Sequence, residues 1–193
     1  ATTASYVASG LTATTQFRAL VTNSPCDVAV SDTATITVLG VPNGGILTGT
    51  ATVCTGSNTT LLTLNGYEGS VVSWQSSSSA AFTSATPIAN TTTTYTATNL
   101  TATTYYRAVV QSGVCAAVNS ATATITVSPT TVAGTATGDT TVCASANTIT
   151  VRLTGNVGTI QWQSSTTSGT SGFNNISGAT LASYSNASAL TAT

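Results

Sequence analysis

Thr94-Tyr95-Thr96-Ala97-Thr98-Asn99-Leu100-Thr101-Ala102-Thr103-Thr104-Tyr105-Tyr106-Arg107-Ala108 has a near copy in Ser5-Tyr6-Val7-Ala8-Ser9-Gly10-Leu11-Thr12-Ala13-Thr14-Thr15-Gln16-Phe17-Arg18-Ala19, at an offset of 89 residues. The same offset carries Cys26 onto Cys115, residues 33–38 onto 122–127 and Cys54 onto Cys143, while Trp74 falls on Trp162 at 88. A third copy of the block opens at Tyr184. Self-similarity at a fixed period marks a run of like structural units. The chain therefore reads as the C-terminal part of one repeat at 1–38, a complete repeat at 45–127 and the N-terminal part of a third at 134–193.

Within a unit the period is that of strands. Thr60, Leu62 and Leu64 alternate with Thr59, Leu61 and Thr63, as do Ile149, Val151 and Leu153 with Thr150 and Arg152. Gly, Ser and Asn clusters such as 55–58, 65–66, 76–79, 112–113, 155–156 and 168–172 punctuate the strands, and no window supports an amphipathic helix. About seven short strands in a unit of this length describe an all-β chain of tandem immunoglobulin-like β-sandwiches, end to end. Leu100, Thr104 and Tyr106 sit at spacings that resemble the tyrosine corner leading into strand F; the first copy has Phe17 there. Each unit has one Trp, Trp74 or Trp162, in a short apolar run in register with Val72 and Ile160. Trp74, Trp162, Tyr106 and Phe17 are thus expected in the cores. The junctions at 39–44 and 128–132 are short and each holds a proline, which stiffens them. A semi-rigid rod follows, with units about 40 Å long.

Charge is scarce. Three arginines, Arg18, Arg107 and Arg152, stand against Asp27, Asp32, Glu68 and Asp139, with no Lys or His and a net charge of −1. A typical soluble domain carries about 25% charged residues, against 4% here, so hydroxyls and amides keep this surface wet. Nucleic acid needs a basic face that three scattered arginines cannot make. No apolar run reaches membrane-spanning length, and no export signal opens the sequence; a signal is expected outside a window of this kind.

Candidate chemistry is thin. Asp27 and Asp32 are the only acids close in sequence, and their counterparts one repeat on are Ala116 and Ala121, which points to a solvated loop and not to the several carboxylates of a calcium site. Ser and Thr abound without a general base. No catalytic residue, cofactor site or metal site is expected. Arg18 and Arg107 recur at one strand position, which fits a structural role.

The four cysteines contain no C-x-x-C pair, so disulfides lead over zinc. Within the complete unit the pair is Cys54 with Cys115, leaving Cys26 and Cys143 to partners beyond the chain; such a loop would restrain the unfolded chain by roughly 4 kcal/mol. Cys54 precedes strand B and Cys115 follows strand F, however, and in a standard sandwich those turns lie at opposite ends. The alternative is a bond that staples adjacent repeats.

Residues 100–110, with 53–57 upstream and 113–115 downstream, resemble the immunoglobulin-like (fibronectin III-like) repeats of giant surface adhesins of gliding Bacteroidota, which are exported by the type IX system. The resemblance implies an extracellular, cell-surface, structural stalk or filament segment and not an enzyme; the alternative is a glycan-binding or spacer module of a secreted carbohydrate-active protein. It also implies O-glycosylation where Asp32-Thr33-Ala34 and Asp139-Thr140-Thr141 match the phylum's glycan triplet, at Thr33 and Thr140. The partners expected are neighbouring repeats of the same chain, other copies of the fibre through sheet edges poor in charge, or surface glycans stacked on Tyr67, Phe82 or Tyr105. Asn58, Asn90, Asn99, Asn175 and Asn186 head N-x-S/T sequons of the kind a Thr-rich chain contains by chance.

Overall fold

The computed structural model describes residues 3–143 and 147–186. All regular structure among them is β, and the chain divides into two compact units, 1–128 and 129–193. In the first unit a short segment carries β1 (Thr15–Phe17), β2 (Leu20–Val21), β3 (Ala29–Val30) and β4 (Ala34–Ile36), with β1 paired to β4 and β2 to β3. A full sandwich follows: β5 (Ile46–Thr48), β6 (Ala51–Cys54), β7 (Thr59–Asn65), β8 (Ser70–Ser77), β9 (Thr86–Ile88), β10 (Thr94–Thr98), β11 (Thr104–Gln111), β12 (Val118–Asn119) and β13 (Ala123–Ser128).

One sheet has the order β10-β7-β5 and the other β6-β13-β11-β8-β9, with β12 also on β11. Every pairing is antiparallel except β6 with β13, which run parallel from Ala51↔Ile125 to Cys54↔Ser128. The first strand of the repeat is therefore split: β5 joins one sheet, the chain crosses over, and β6 joins the other. Gly49 makes the crossing. It adopts φ +106°, and a Cβ there would run into the Leu61 carbonyl oxygen, so the turn takes the one residue type without that atom.

The core lies between the sheets. Leu47, Leu62, Leu64 and Ala97 from one meet Val71, Trp74, Tyr106, Ala108, Val110, Ala123 and Ile125 from the other. Leu62 is fully buried while Leu61 is 56% exposed, the two-residue alternation that the sequence shows. Trp74 is fully buried, and its Nε1–H donates to the Thr92 carbonyl at 2.9 Å. Its expected face-mate Val72 points outward instead, and Val71 points in. The register against β11 slips between Val109 and Val110, pairing them with Ser73 and Val71. One extra residue in β8 inverts the alternation across the bulge.

The second unit carries β14 (Thr135–Thr137), β15 (Ile149–Thr154), β16 (Gln163–Ser164), β17 (Asn174–Asn175) and β18 (Ser183–Asn186). The order β14-β15-β18 repeats β5-β7-β10 one period on, and β16-β17 stands where β8-β9 stand. The remainder of the third copy of the opening block, 187–193, lies outside the described residues. Two expected core residues differ from their counterparts in the full sandwich: Phe17 and Trp162 are half-buried, not buried. Residues 3–38 fold only the counterparts of β11 to β13, so Phe17 lacks the facing sheet; among the described residues the second unit folds counterparts of β5 and of β7 to β10 but none of β6, and Trp162 lacks a counterpart of β11 beside its strand. Ile36, 44% exposed, shows the same deficit against its counterpart Ile125 at 0%.

Candidate functional site

The full sandwich has two poles of different make. At the N-terminal pole the chain arrives beside the turns that follow β7 and β11. Asn43 and Glu68 exchange backbone hydrogen bonds of 3.0 and 2.9 Å, and Ala121 N–H donates to the Gly45 carbonyl at 3.0 Å. The turn after β11 holds Cys115, whose N–H donates to Ser112 O at 2.9 Å and whose carbonyl accepts from Gln111 Nε2 at 3.0 Å. The Leu39 side chain, from the junction with the preceding repeat, lies against Gly113 in this turn, where a Cβ would meet its Cδ1.

At the C-terminal pole the turn after β6 meets the turn after β10. Asn58 ties them together: its Nδ2 donates to the carbonyls of Cys54 and Leu100, both at 2.8 Å, and its Oδ1 accepts from Leu100 N–H at 2.9 Å. Read in the sequence as the head of a sequon, Asn58 is instead a half-buried clasp. The same bond recurs one repeat on, from Asn147 Nδ2 to Cys143 O at 2.9 Å, and that recurrence is the signal that could have found it.

These poles correct the disulfide expected within the unit. Cys54 ends β6 beside Ser128 and Leu100, at the C-terminal pole; Cys115 sits past the far end of β11, at the N-terminal pole. The eight residues of β11 span about 25 Å between them, and a disulfide needs Cα atoms within about 7 Å. The direction of the first strand is the cause: β5 and β6 both run away from the N-terminal pole, as the opposite course of β7 against β5 shows, and leave Cys54 at the far end. No disulfide joins any two of the four cysteines, of which Cys26, Cys54 and Cys143 are exposed and Cys115 half-buried.

The aromatic candidates for sugar stacking are mostly engaged. Phe82 is 8% exposed and lies under the Arg107 guanidinium, 4.1 Å from ring centroid to Cζ. Arg107 Nε donates to Gln75 Oε1 at 2.7 Å across the sheet, so this arginine braces β11 on β8. Tyr67 packs on the core and Tyr105 is half-buried. Thr33, just before β4, and Thr140 are both exposed, as are Asp32 and Asp139 beside them. Asp27 and Asp32 are exposed too, and no group of three or more metal-ligating side chains gathers among the described residues.

A cleft of about 350 Å³ opens among Ile149, Val151, Trp162, Ile176 and Tyr184. Three of these stand where Leu62, Trp74 and Tyr95 stand in the full sandwich, so the cleft is the inner face of a sandwich without its second half. Burial pushes the Tyr106 hydroxyl up to about 12, with the nearby Tyr95 adding to the rise; the two rings lie 5.5 Å apart.

In sequence, the model of the family described as "Domain of unknown function (DUF8696)" matches three stretches, 1–40, 43–129 and 132–193. No curated protein matches the chain. Among solved structures the crystal structure of chicken CNTN1 FN1-FN3 domains is similar, with a TM-score of 0.33 and 12% identity over 91% of this chain. The chain spans 65% of that protein's length.

Proposed function

The chain belongs to the family of that domain of unknown function, and on that premise we propose that it is a load-bearing spacer: a stalk segment of a secreted adhesin at the cell surface, with no catalytic role. The observation that carries this is the parallel pairing of β6 with β13. The first of these strands follows the N-terminal end of the repeat and the second ends it, so tension on the ends slides one along the other. Hydrogen bonds loaded in shear must break together, whereas an antiparallel terminal pair would unzip bond by bond. The repeat, the short proline-bearing junctions and the sparsely charged surface support the same reading. The resemblance to adhesin repeats of gliding Bacteroidota supports type IX export, and the exposure of Thr33 and Thr140 leaves both open to O-glycosylation.

Single-molecule pulling on the whole chain tests the proposal. One dominant rupture is expected, releasing about 25 nm as the complete repeat unravels. Thr55 N–H bonds Ser128 O at 2.9 Å, and Val53, two residues earlier, shares that edge. Val53→Pro removes a donor from the shear line and should lower the rupture force at least twofold. An unchanged force would show that β6 and β13 do not carry the load, and the reading would fail.

A further inference from the structure

Each repeat contains two cysteines that the fold places at opposite poles, and the geometry points to a covalent use for them: we propose that the cysteine at the Cys54 position of one repeat bonds the cysteine at the Cys115 position of the next. Two independent observations lead there. The first is how the cysteine backbones are held. Cys115 sits in a turn closed by its own N–H on Ser112 O, and Cys26 sits in the same turn one repeat earlier, on Asn23 O at 2.7 Å. Cys54 and Cys143 are likewise each held by an asparagine Nδ2 on the carbonyl, at 2.8 and 2.9 Å. One hydrogen bond to the backbone of each cysteine thus recurs in successive copies.

The second observation is the junction between residues 1–38 and the full sandwich. Cys54 pairs in register with Ser128. One period earlier the residue at the Ser128 position is Leu39, so in a longer run of repeats the preceding copy's cysteine would lie beside Leu39, on the neighbouring strand. Leu39 packs against Gly113, two residues before Cys115. A strand spacing of about 4.8 Å then brings the two cysteines into the same contact zone, within side-chain reach of the distance a disulfide needs. No two of the four cysteines present share a junction: Cys26 and Cys115 each face a preceding repeat, Cys54 and Cys143 each a following one.

The step is thiol–disulfide exchange. Two thiols lose two protons and two electrons to a disulfide oxidant, oxidised glutathione or an oxidoreductase disulfide, which leaves as two thiols. The inference stands on the junction and not on the shear reading, since losing the bond would leave β6 and β13 paired.

The test extends the chain by copying residues 45–93 ahead of Ser5, which completes the first repeat and keeps the natural junction. After folding in a glutathione redox buffer, peptide mapping should join the added copy of Cys54 to Cys115, leaving Cys26, Cys54 and Cys143 alkylatable. A link from the added cysteine to Cys26, or no link at all, overturns the proposal. Should the extended chain fold poorly, Leu39→Cys in the 193-residue chain places a thiol against the same turn, and a short bis-maleimide should join it to Cys115. Absence of that crosslink, or a Cys54–Cys115 bond in the unaltered monomer, also overturns it.

Discussion

Replacing Asn58 with alanine removes three hydrogen bonds at once where the turn after β10 meets the turn after β6; the Leu100 carbonyl keeps its bond from Gly56 N–H, and the Leu100 N–H is released. A net hydrogen bond contributes about 0.5–1.5 kcal/mol. Asn58 is half-buried, so water recovers part of the loss, and about 2 kcal/mol is expected. That is a large share of the roughly 4–12 kcal/mol available to a domain of this size. Asn58→Asp is the sharper probe, because it keeps the acceptor that Leu100 N–H uses but turns a carboxylate oxygen toward two carbonyls. It should cost more than alanine, about 3 kcal/mol, and recover partly below pH 4 as the carboxyl gains a proton to donate. The assay is urea unfolding in a Trp162→Phe background, with Trp74 fluorescence reporting the full sandwich. At a slope of about 1 kcal/mol per molar, the midpoint should fall by about 2 M for alanine and 3 M for aspartate. An alanine variant within about 0.5 kcal/mol of the parent, or an aspartate variant milder than alanine, would refute the clasp.

Gly49→Ala drives a Cβ into the Leu61 carbonyl at a positive φ and should lower stability by about 2–4 kcal/mol in the same urea assay. Trp74→Ala should cost about 3–5 kcal/mol and Trp162→Ala less than half of that; iodide should quench Trp162 and spare Trp74. Raising the Tyr106 pKa to about 12 means the folded protein keeps a proton that the unfolded chain releases near pH 10. That contribution is therefore intact below pH 10 and lost as the pH rises to 12, by about 2–3 kcal/mol. Urea midpoints at pH 9 and 11 should show about half of the loss, and Tyr106→Phe should remove that part of it.

The period was legible because strand alternation and the two aromatic-rich blocks repeat with little drift, and Leu62 and Leu64 turn inward as their spacing requires. What escaped sequence reading were features in which one residue changes the geometry of many. The slip opposite Val109 turns Val71 inward in place of Val72, and a bulge leaves no compositional mark in Ser70-Val71-Val72-Ser73. The transfer of β6 to the other sheet rests on Gly49, and that glycine did leave a trace: Gly49 recurs as Gly138, at φ +119°. The clasp made by Asn58 was hidden for a different reason. In a Thr-rich chain its N-x-T context looks like chance, yet glycosylating its Nδ2 would remove a hydrogen that the clasp uses.

The shear pair and the staple act on different parts of one load path. Without staples, each 89-residue period that ruptures can extend to about 320 Å, so a stalk of such repeats would lengthen severalfold under a force that breaks β6 from β13. With staples the shortest covalent route no longer follows the whole chain. It runs from residue 45 to Cys54, across the sulfurs to the Cys115 position of the next repeat, through 115–128 and the junction, and into the repeat after that. Fully extended, this route is about 100 Å per two repeats, or about 50 Å each, close to the roughly 40 Å of a folded sandwich. Sandwich rupture in an oxidised stalk would then release almost no length, and β7 to β11, which lie off the route, would carry no tension. Placing cysteines at opposite poles of one repeat is a poor way to stabilise that repeat and an effective way to make a run of them inextensible.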